Sequence, residues 1–182
     1  MSLKDYINNK PTLETNRLIL RTLTKEDVPA LCEWMSDKTI YKYWGMNPGK
    51  NDKNPMLLFE RKEKPTKSFH WGIINRSNKK AIGEIWIYLI QNDRMAKAAF
   101  RLSPEYQGKG LALEALEKVI QFCFTKTELQ KIWTDVHIEN HPSYKTLEKA
   151  GFVREGCIRS GKMVNIYCDY YLYGLLKVDY CK

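Results

Sequence analysis

Apolar residues recur at helical spacing directly after a glycine-containing turn, and no other feature of the sequence constrains the fold as much. Between positions 111 and 123 they are Leu111, Ala112, Ala115, Leu116, Val119, Ile120 and Cys123. Steps of three and four place these side chains on one stripe of an α-helix, which must be buried against another layer of structure. The preceding segment, 96–102, reads as a β-strand, so the pattern predicts a helix packed on a sheet.

Further strands are predicted on both sides of this helix, from runs of apolar and β-branched residues bounded by turn residues. The predicted strands are 17–23, 69–75, 81–90, 96–102, 132–138, 152–159 and 163–173. The second, third and fourth are joined by the short polar turns 77–80 and 91–93, which favour an antiparallel meander. The last two form a hairpin whose predicted turn is 160–162.

Two shorter helices complete the prediction. Thr24, with Asp27 three residues later, suits the start of a helix that carries the apolar residues of 28–35. Another helix begins near 140–142, because proline is tolerated in a first helical turn, and Gly151 lies just past its end. Strands before and after one amphipathic helix predict a mixed α/β domain.

Length and composition favour a single cytoplasmic domain. At 182 residues with 43% hydrophobic side chains, the chain is long enough for one packed core and too short for two ordinary domains. The amino terminus has no apolar run typical of a signal sequence, and the most apolar stretch, 81–90, is too short to span a bilayer. The five cysteines are odd in number and lack C-x-x-C spacing. We therefore expect a cytoplasmic protein without membrane association, disulfides or bound metal.

The formal charge of +9 suggests a polyanionic partner but does not identify it. Nucleic acid, an acidic protein or a phosphate-rich cofactor would all be attracted, and a solvated basic surface without a specific partner has the same composition. Part of the excess lies in 50–67, a segment rich in lysine and proline that we expect to be exposed and mobile. Charge alone does not choose a function.

The turn before the long helix has the features of an anion site. Amide N–H groups in the first turn of a helix have no partner within the helix and favour a pyrophosphate. Gly108 and Gly110 allow the backbone to approach a phosphate closely. A P-loop requires glycine where Ser103 stands, and a dinucleotide fingerprint requires glycine where Leu113 stands. ATP and NAD are therefore poor candidates.

The remaining pattern resembles a known family. Gln107-x-x-Gly110-x-Ala112 is similar to the acetyl-CoA loop of the GNAT acetyltransferases, which lies between a strand and a long helix. A second block, Asn140-x-x-Ser143 followed by 147–156, resembles the signature of the GNAT branch that acetylates the amino termini of ribosomal proteins. Two spaced blocks that agree with one family are stronger evidence than either block alone.

The resemblance extends over almost the whole chain. Segment 15–21 near the start and Asp169 in the final predicted strand also match the ribosomal-protein branch, so the matching region is about 12–175. It implies the GNAT acyltransferase fold, an α/β (α+β) architecture with a mixed, mostly antiparallel sheet flanked by helices. The whole of 1–182 is then expected to be one acetyltransferase domain.

The same resemblance implies three groups of contacts with acetyl-CoA. The pantetheine arm would pair with the backbone of Phe100, Arg101 and Leu102. The pyrophosphate would be held by Gln107, Gly108, Lys109, Gly110, Leu111 and Ala112. Asn140 and Ser143 would lie near the thioester. Simpler roles stay open, since the glycines suit any tight turn and Asn140 suits a helix cap.

Acetyl transfer also needs a neutral amine and a proton for the departing thiolate. Glu84, the one carboxylate of 81–90, is the candidate base, because a buried carboxylate binds protons more readily. Its alternatives are exposure at a sheet edge or pairing with an arginine. Many family members place a tyrosine seven residues after the asparagine as the acid, but Leu147 stands there. Ser143 and Tyr144 are the candidate acids that remain, although either also suits a structural place in the helix.

We expect the acceptor to be the α-amino group of a protein, attacked directly in a ternary complex. An α-amine with a pKa of about 7.7–8.0 loses its proton more easily than a lysine side chain with a pKa of about 10.4. Ribosome association and a monomeric or homodimeric state accompany this expectation. A polyamine, amino acid or antibiotic is the alternative acceptor, and a basic RNA-binding module without catalysis is the alternative of another class. Aromatic residues that suit either an acceptor cleft or the core are Trp34, Tyr41, Tyr43, Trp44, Trp71 and Trp86.

Overall fold

The computed structural model describes residues 3–6, 10–59, 68–91 and 94–180, and these residues contain one sheet of eight strands. In chain order the strands are β1 Leu13–Glu14, β2 Leu18–Arg21, β3 Ser68–Asn75, β4 Ala81–Gln91, β5 Met95–Leu102, β6 Lys131–His137, β7 Val153–Met163 and β8 Ile166–Leu176. Their spatial order is β1-β2-β3-β4-β5-β6-β8-β7. Neighbours are antiparallel except β5 and β6, which run parallel. The predicted mixed, mostly antiparallel sheet and its meander are confirmed.

Helices of very different length accompany the sheet. The α-helices of the described residues are α1 Val28–Trp34, α2 Lys50–Lys53, α3 Leu111–Lys126, α4 His141–Lys149 and α5 Lys177–Tyr180. The 3₁₀ segments are Leu3–Tyr6, Lys25–Asp27, Lys38–Trp44, Pro55–Leu58 and Pro104–Tyr106. Residues 60–67 of the predicted mobile segment and 92–93 of the predicted turn lie outside the described residues.

The predicted apolar stripe of α3 packs against the sheet. Ala115, Leu116, Val119 and Ile120 are at most 1% exposed and share one core cluster with residues of most strands. Complete burial of a leucine, valine or isoleucine side chain contributes about 1.5–3 kcal/mol relative to exposure. This helix therefore supplies a large part of the stability of the sheet, as its sequence pattern predicts.

The side chains of strand β6 alternate between the two faces of the sheet. Ile132 and Val136 are buried in the core cluster on the side of α3. Because side chains of a strand alternate between faces, the intervening residues project to the opposite side. These are Trp133, Asp135 and His137, which are all half-buried. The strand thus presents one apolar face and one face with titratable groups.

The parallel pair is short, and this positions the candidate site. Strands β5 and β6 pair only over 95–97 and 131–133. Beyond that point, the rest of β5 is paired with β4 and the rest of β6 is paired with β8. Over 98–102 the described part of the chain provides no strand partner on the β6 side. The two strands consequently part and leave a wedge between them.

The predicted hairpin of β7 and β8 is present, but its predicted turn is wrong. Strand β7 continues through 160–162 to Met163, β8 begins at Ile166, and the turn lies at 164–165. Ser160 has φ +46° where the register of the two strands shifts, and its amide N–H donates to Asp169 Oδ1 at 2.8 Å. Bulges and turns use the same small and polar residues. The residue types at 160–162 therefore predicted a turn where the strand has a bulge.

Candidate active site

The parting of β5 and β6 opens a cleft of about 220 Å³ on the face that carries Asp135 and His137. Strands β4, β5 and β6 form its floor, and the first turn of α4 forms one end. The 3₁₀ segment Lys38–Trp44 and the tip of the β7–β8 hairpin also contribute lining residues. The cleft is therefore enclosed by elements from distant parts of the chain.

Half of the predicted aromatic residues line this cleft. Tyr43, Trp44 and Trp86 do so, and Trp44 and Trp86 contact each other edge to face with ring centroids 5.9 Å apart. The Trp86 indole N–H donates to the Tyr88 hydroxyl, and Tyr88 lines the cleft as well. The remaining predicted aromatics are buried in the core or beside α1: Trp34, Tyr41 and Trp71.

The amino terminus of α4 brings Asn140 and Ser143 to the cleft. Asn140 is the cap of α4, since its side-chain oxygen accepts the Ser143 amide N–H at 3.3 Å. Pro142 occupies the first turn, where its missing N–H costs nothing. Both residues line the cleft. Asn140 therefore has the predicted structural role and also the position that a role in cofactor binding requires.

The predicted anion loop contains two glycines in the left-handed conformation and is open on one side. Gly108 and Gly110 have φ of +72° and +74°, a left-handed conformation that favours glycine. A Cβ on Gly108 would meet nothing within 4 Å, so the space above the loop is open. The first amides of α3 follow directly and have no partner within the helix. The Gln107 side chain has a local role, because its Nε2 donates to the Leu102 carbonyl at 3.0 Å and fixes the loop to the end of β5.

Backbone groups near this loop are also available to a ligand. The segment 98–102 of β5, which contains Phe100 and Arg101, lacks a strand partner on its β6 side within the described residues. Free backbone groups along a strand edge can pair with an extended ligand. The open loop, the helix amides and this edge are the elements to which the GNAT resemblance assigns the pyrophosphate and pantetheine parts of acetyl-CoA.

Glu84 does not line the cleft and is engaged in a buried ion pair. Its carboxylate is 7% exposed and accepts from Arg101 Nε at 2.8 Å and Nη2 at 2.5 Å. Arg101 Nη1 also donates to the Tyr41 hydroxyl at 2.7 Å and to Asp52 Oδ1 at 3.0 Å. Burial raises the pKa of Tyr41 and outweighs the effect of the guanidinium. The alternative expectation, pairing with an arginine, describes what Glu84 does in the structure.

Tyr144 also lies away from the cleft lining. Its ring packs edge to face on Tyr171, with centroids 5.9 Å apart, and the Arg154 guanidinium lies 5.8 Å from its centroid. These contacts place it between α4 and β8. Of the candidate acids, the structure brings only Ser143 to the cleft.

Three titratable groups that were not predicted from the sequence do line it. Lys97 Nζ and Asp135 Oδ1 form an ion pair at 2.7 Å. His137 lines the cleft as well, and its Nδ1 accepts the Glu139 amide N–H at 3.1 Å. For Asp135 and His137 the alternation of 131–137 contained the signal, because both stand on the face opposite Ile132 and Val136.

A glycine-containing loop at the start of a helix, next to a wedge between two parting strands, fits the fold of a coenzyme A-dependent acyltransferase. The acetyltransferase (GNAT) domain family matches residues 17–153. The chain belongs to this family and is an acetyl-CoA-dependent N-acetyltransferase.

Similar proteins support this assignment. The uncharacterized N-acetyltransferase YoaA of Bacillus subtilis is 31% identical over 153 residues, which are 82% of this chain and 86% of that protein. The crystal structure of a GNAT-family acetyltransferase from Bacillus anthracis has a TM-score of 0.81 at 24% identity, covering 92% of this chain and 99% of that one. Spermidine N-acetyltransferase from Vibrio cholerae, solved with CoA and spermine, has a TM-score of 0.77 at 24% identity and covers 92% and 100%.

The geometry assigns distinct tasks to the residues of this site. Acetyl-CoA supplies an activated acetyl group as a thioester. The loop 107–112 and the edge of β5 are the places where the sequence predicts that such a ligand binds, and aromatic residues line the adjoining cleft. In the described parts of the chain, His, Cys, Asp and Glu nowhere form a cluster of three that could bind a metal ion. Nor does any described helix have the length and apolar character to cross a membrane.

Proposed function

We propose that the acceptor is the α-amino group of a protein amino terminus, which attacks the acetyl group directly. The observation that carries this proposal is that the carboxylate and the imidazole Nδ1 in the cleft already have partners. Asp135 is the one carboxylate among the described residues that line the cleft, and Lys97 pairs with it at 2.7 Å. Nδ1 of His137 already accepts the Glu139 amide. The cleft therefore has no uncommitted carboxylate to deprotonate an ammonium group.

Such a cleft suits an amine that is partly neutral before it binds. An α-amine with a pKa of about 7.7–8.0 is about 9–17% neutral at pH 7, whereas an alkylamine with a pKa of about 10.4 is about 0.04% neutral. At pH 7 the neutral, reactive fraction of the α-amine is therefore a few hundredfold larger than that of the alkylamine. Glu84 as base stays a prediction, but the proposed reaction does not require it. Ser143, which lines the cleft, is the proposed proton donor to the departing sulfur.

A polyamine is the second candidate acceptor, favoured by the similarity to a spermidine acetyltransferase. A polycation binds best where carboxylates exceed cations. In this cleft Lys97 offsets the charge of Asp135, and the whole chain carries +9. The charge distribution thus favours the peptide. Ribosome association, a cytoplasmic location and a monomeric or homodimeric state belong to the same proposal.

A comparison of three acceptors tests the proposal. A lysine-containing peptide with a free amino terminus, the same peptide with a blocked amino terminus, and spermidine are each incubated with acetyl-CoA, and CoA release is measured at pH 7. We expect the free peptide to react at least 100-fold faster than the other two, with mass spectrometry placing the acetyl group on the α-nitrogen. Faster acetylation of spermidine or of the lysine side chain would contradict the proposal.

A further inference from the structure

His137 ends strand β6 and is the one described histidine that lines the cleft. Its ring is half-buried and lies against Tyr43, with centroids 5.5 Å apart. The other titratable groups that line the cleft are Tyr43, Tyr88, Lys97 and Asp135. His137 lines the same cleft as the cap residue Asn140 at the start of α4.

One hydrogen bond determines which ring nitrogen of His137 carries the proton. The Glu139 amide N–H lies 3.1 Å from Nδ1, and a backbone amide can only donate. Nδ1 must therefore present its lone pair, and the proton of the neutral ring is on Nε2. If Nδ1 were protonated, its N–H would face the Glu139 N–H and no hydrogen bond could form between them. In the neutral ring, the local backbone thus favours the tautomer with an Nε2–H.

The remaining polar atom of His137 is therefore a donor, not a base. We propose that His137 donates its Nε2–H to the negative charge that develops on the acyl oxygen during transfer. The amine nitrogen forms the new C–N bond as the C–S bond breaks, the amine's proton leaves to water, the departing sulfur is protonated through Ser143, and His137 keeps its own proton throughout. Preorganised donors of this kind are among the largest contributions to acyl transfer. The inference rests on acetyl transfer in this cleft and not on which amine is the acceptor.

Two substitutions distinguish a donor from a base. Glutamine places an amide N–H near the position of Nε2 and cannot act as a base at neutral pH, whereas alanine provides neither function. We expect His137→Ala to lower kcat by about 10²–10³-fold, which is the usual effect of losing one such donor. His137→Gln should keep kcat within about tenfold of the wild type. Both variants should show the wild-type melting temperature and the wild-type thermal shift with CoA.

The tautomer itself is measured without any turnover. Nitrogen-15 NMR of labelled histidine separates protonated from unprotonated ring nitrogens, and His137→Gln identifies the signals to be assigned among the three histidines of the chain. At pH 8 we expect an unprotonated Nδ1 and a protonated Nε2. A protonated Nδ1 overturns the proposal. So does a His137→Gln variant as slow as His137→Ala, or wild-type turnover in both variants.

Discussion

Replacing Glu84 by glutamine should weaken the fold more than it impairs proton transfer. Glu84 is 7% exposed and accepts two hydrogen bonds from Arg101, at 2.8 and 2.5 Å. Removal of one partner of a buried ion pair typically costs about 3–5 kcal/mol, because the other charge is left uncompensated. Asp52 still accepts from Arg101 at 3.0 Å. We therefore expect the lower end, a loss of about 3 kcal/mol in the free energy of unfolding.

Urea unfolding followed by circular dichroism measures this loss. For a chain of this length, 3 kcal/mol corresponds to a melting temperature lower by about 6–12 °C. The matched control is Glu33→Gln, which removes the carboxylate of the exposed pair with Lys80 at 2.8 Å. Solvent screens that pair, so the control should unfold as the wild type does.

The pH dependence of turnover separates the two roles of Glu84. At a temperature where both proteins are folded, the Glu84→Gln variant should keep the acid limb of the wild-type profile, because the ion-paired carboxylate takes no proton from the amine. The reasoning fails if the free energy of unfolding changes by less than about 0.5 kcal/mol while turnover falls and the acid limb disappears. Glu84 would then be the base that the sequence suggested.

Three further changes test other parts of the structure. Acetyl-CoA at about 100 times its Kd should stabilise the wild type by roughly 2.7 kcal/mol in a thermal-shift assay. Gly110→Val, at φ +74°, should abolish most of this stabilisation. The control Gly156→Val, on open strand surface, should retain it. Ser143→Ala should lower kcat by about 10²-fold with little change in KM if the hydroxyl protonates the sulfur; unchanged kcat would leave it a helix residue. Burial would raise the pKa of Asp27, but hydrogen bonds, chiefly from Arg21, outweigh it and lower the pKa. This stabilisation is present above the unfolded pKa of about 3.9 and is lost as pH falls through the lower folded value. Asp27→Asn should therefore cost about 1–2 kcal/mol at pH 7, and urea titrations should show the difference shrinking below about pH 4.

Local patterns predicted the parts of the fold that local physics determines. The stripe of α3 follows from apolar spacing, and Asn140 caps α4 as its residue type suggests. The left-handed glycines 108 and 110 follow from the motif. In each case the residues that decide the structure lie within a few positions of each other, so one sequence window contains the necessary information.

The partner of Glu84 depended on a register that no local pattern specified. A turn centred on residue 92 would place Glu84 opposite Phe100, whereas the observed register pairs it with Arg101. A shift of one residue exchanges the two faces of a strand. A one-residue difference in the register of this hairpin therefore decides whether the Glu84 carboxylate lies beside Arg101. Asp52 and Tyr41, the other partners of Arg101, come from irregular segments that sequence patterns do not place.

The single parallel pair explains why the anion loop and the cleft occur together. Parallel neighbours cannot be joined by a hairpin and require a crossover, which is usually a helix. Here α3 is that crossover between β5 and β6, so its amino terminus must lie at the carboxyl end of β5. That end is also where β5 leaves β6, because the two strands pair only at 95–97 and 131–133. Residues placed after β6, such as Asn140, must approach the same opening. Topology therefore brings the predicted phosphate-binding loop and the cleft that contains Asp135 and His137 to the same end of the sheet.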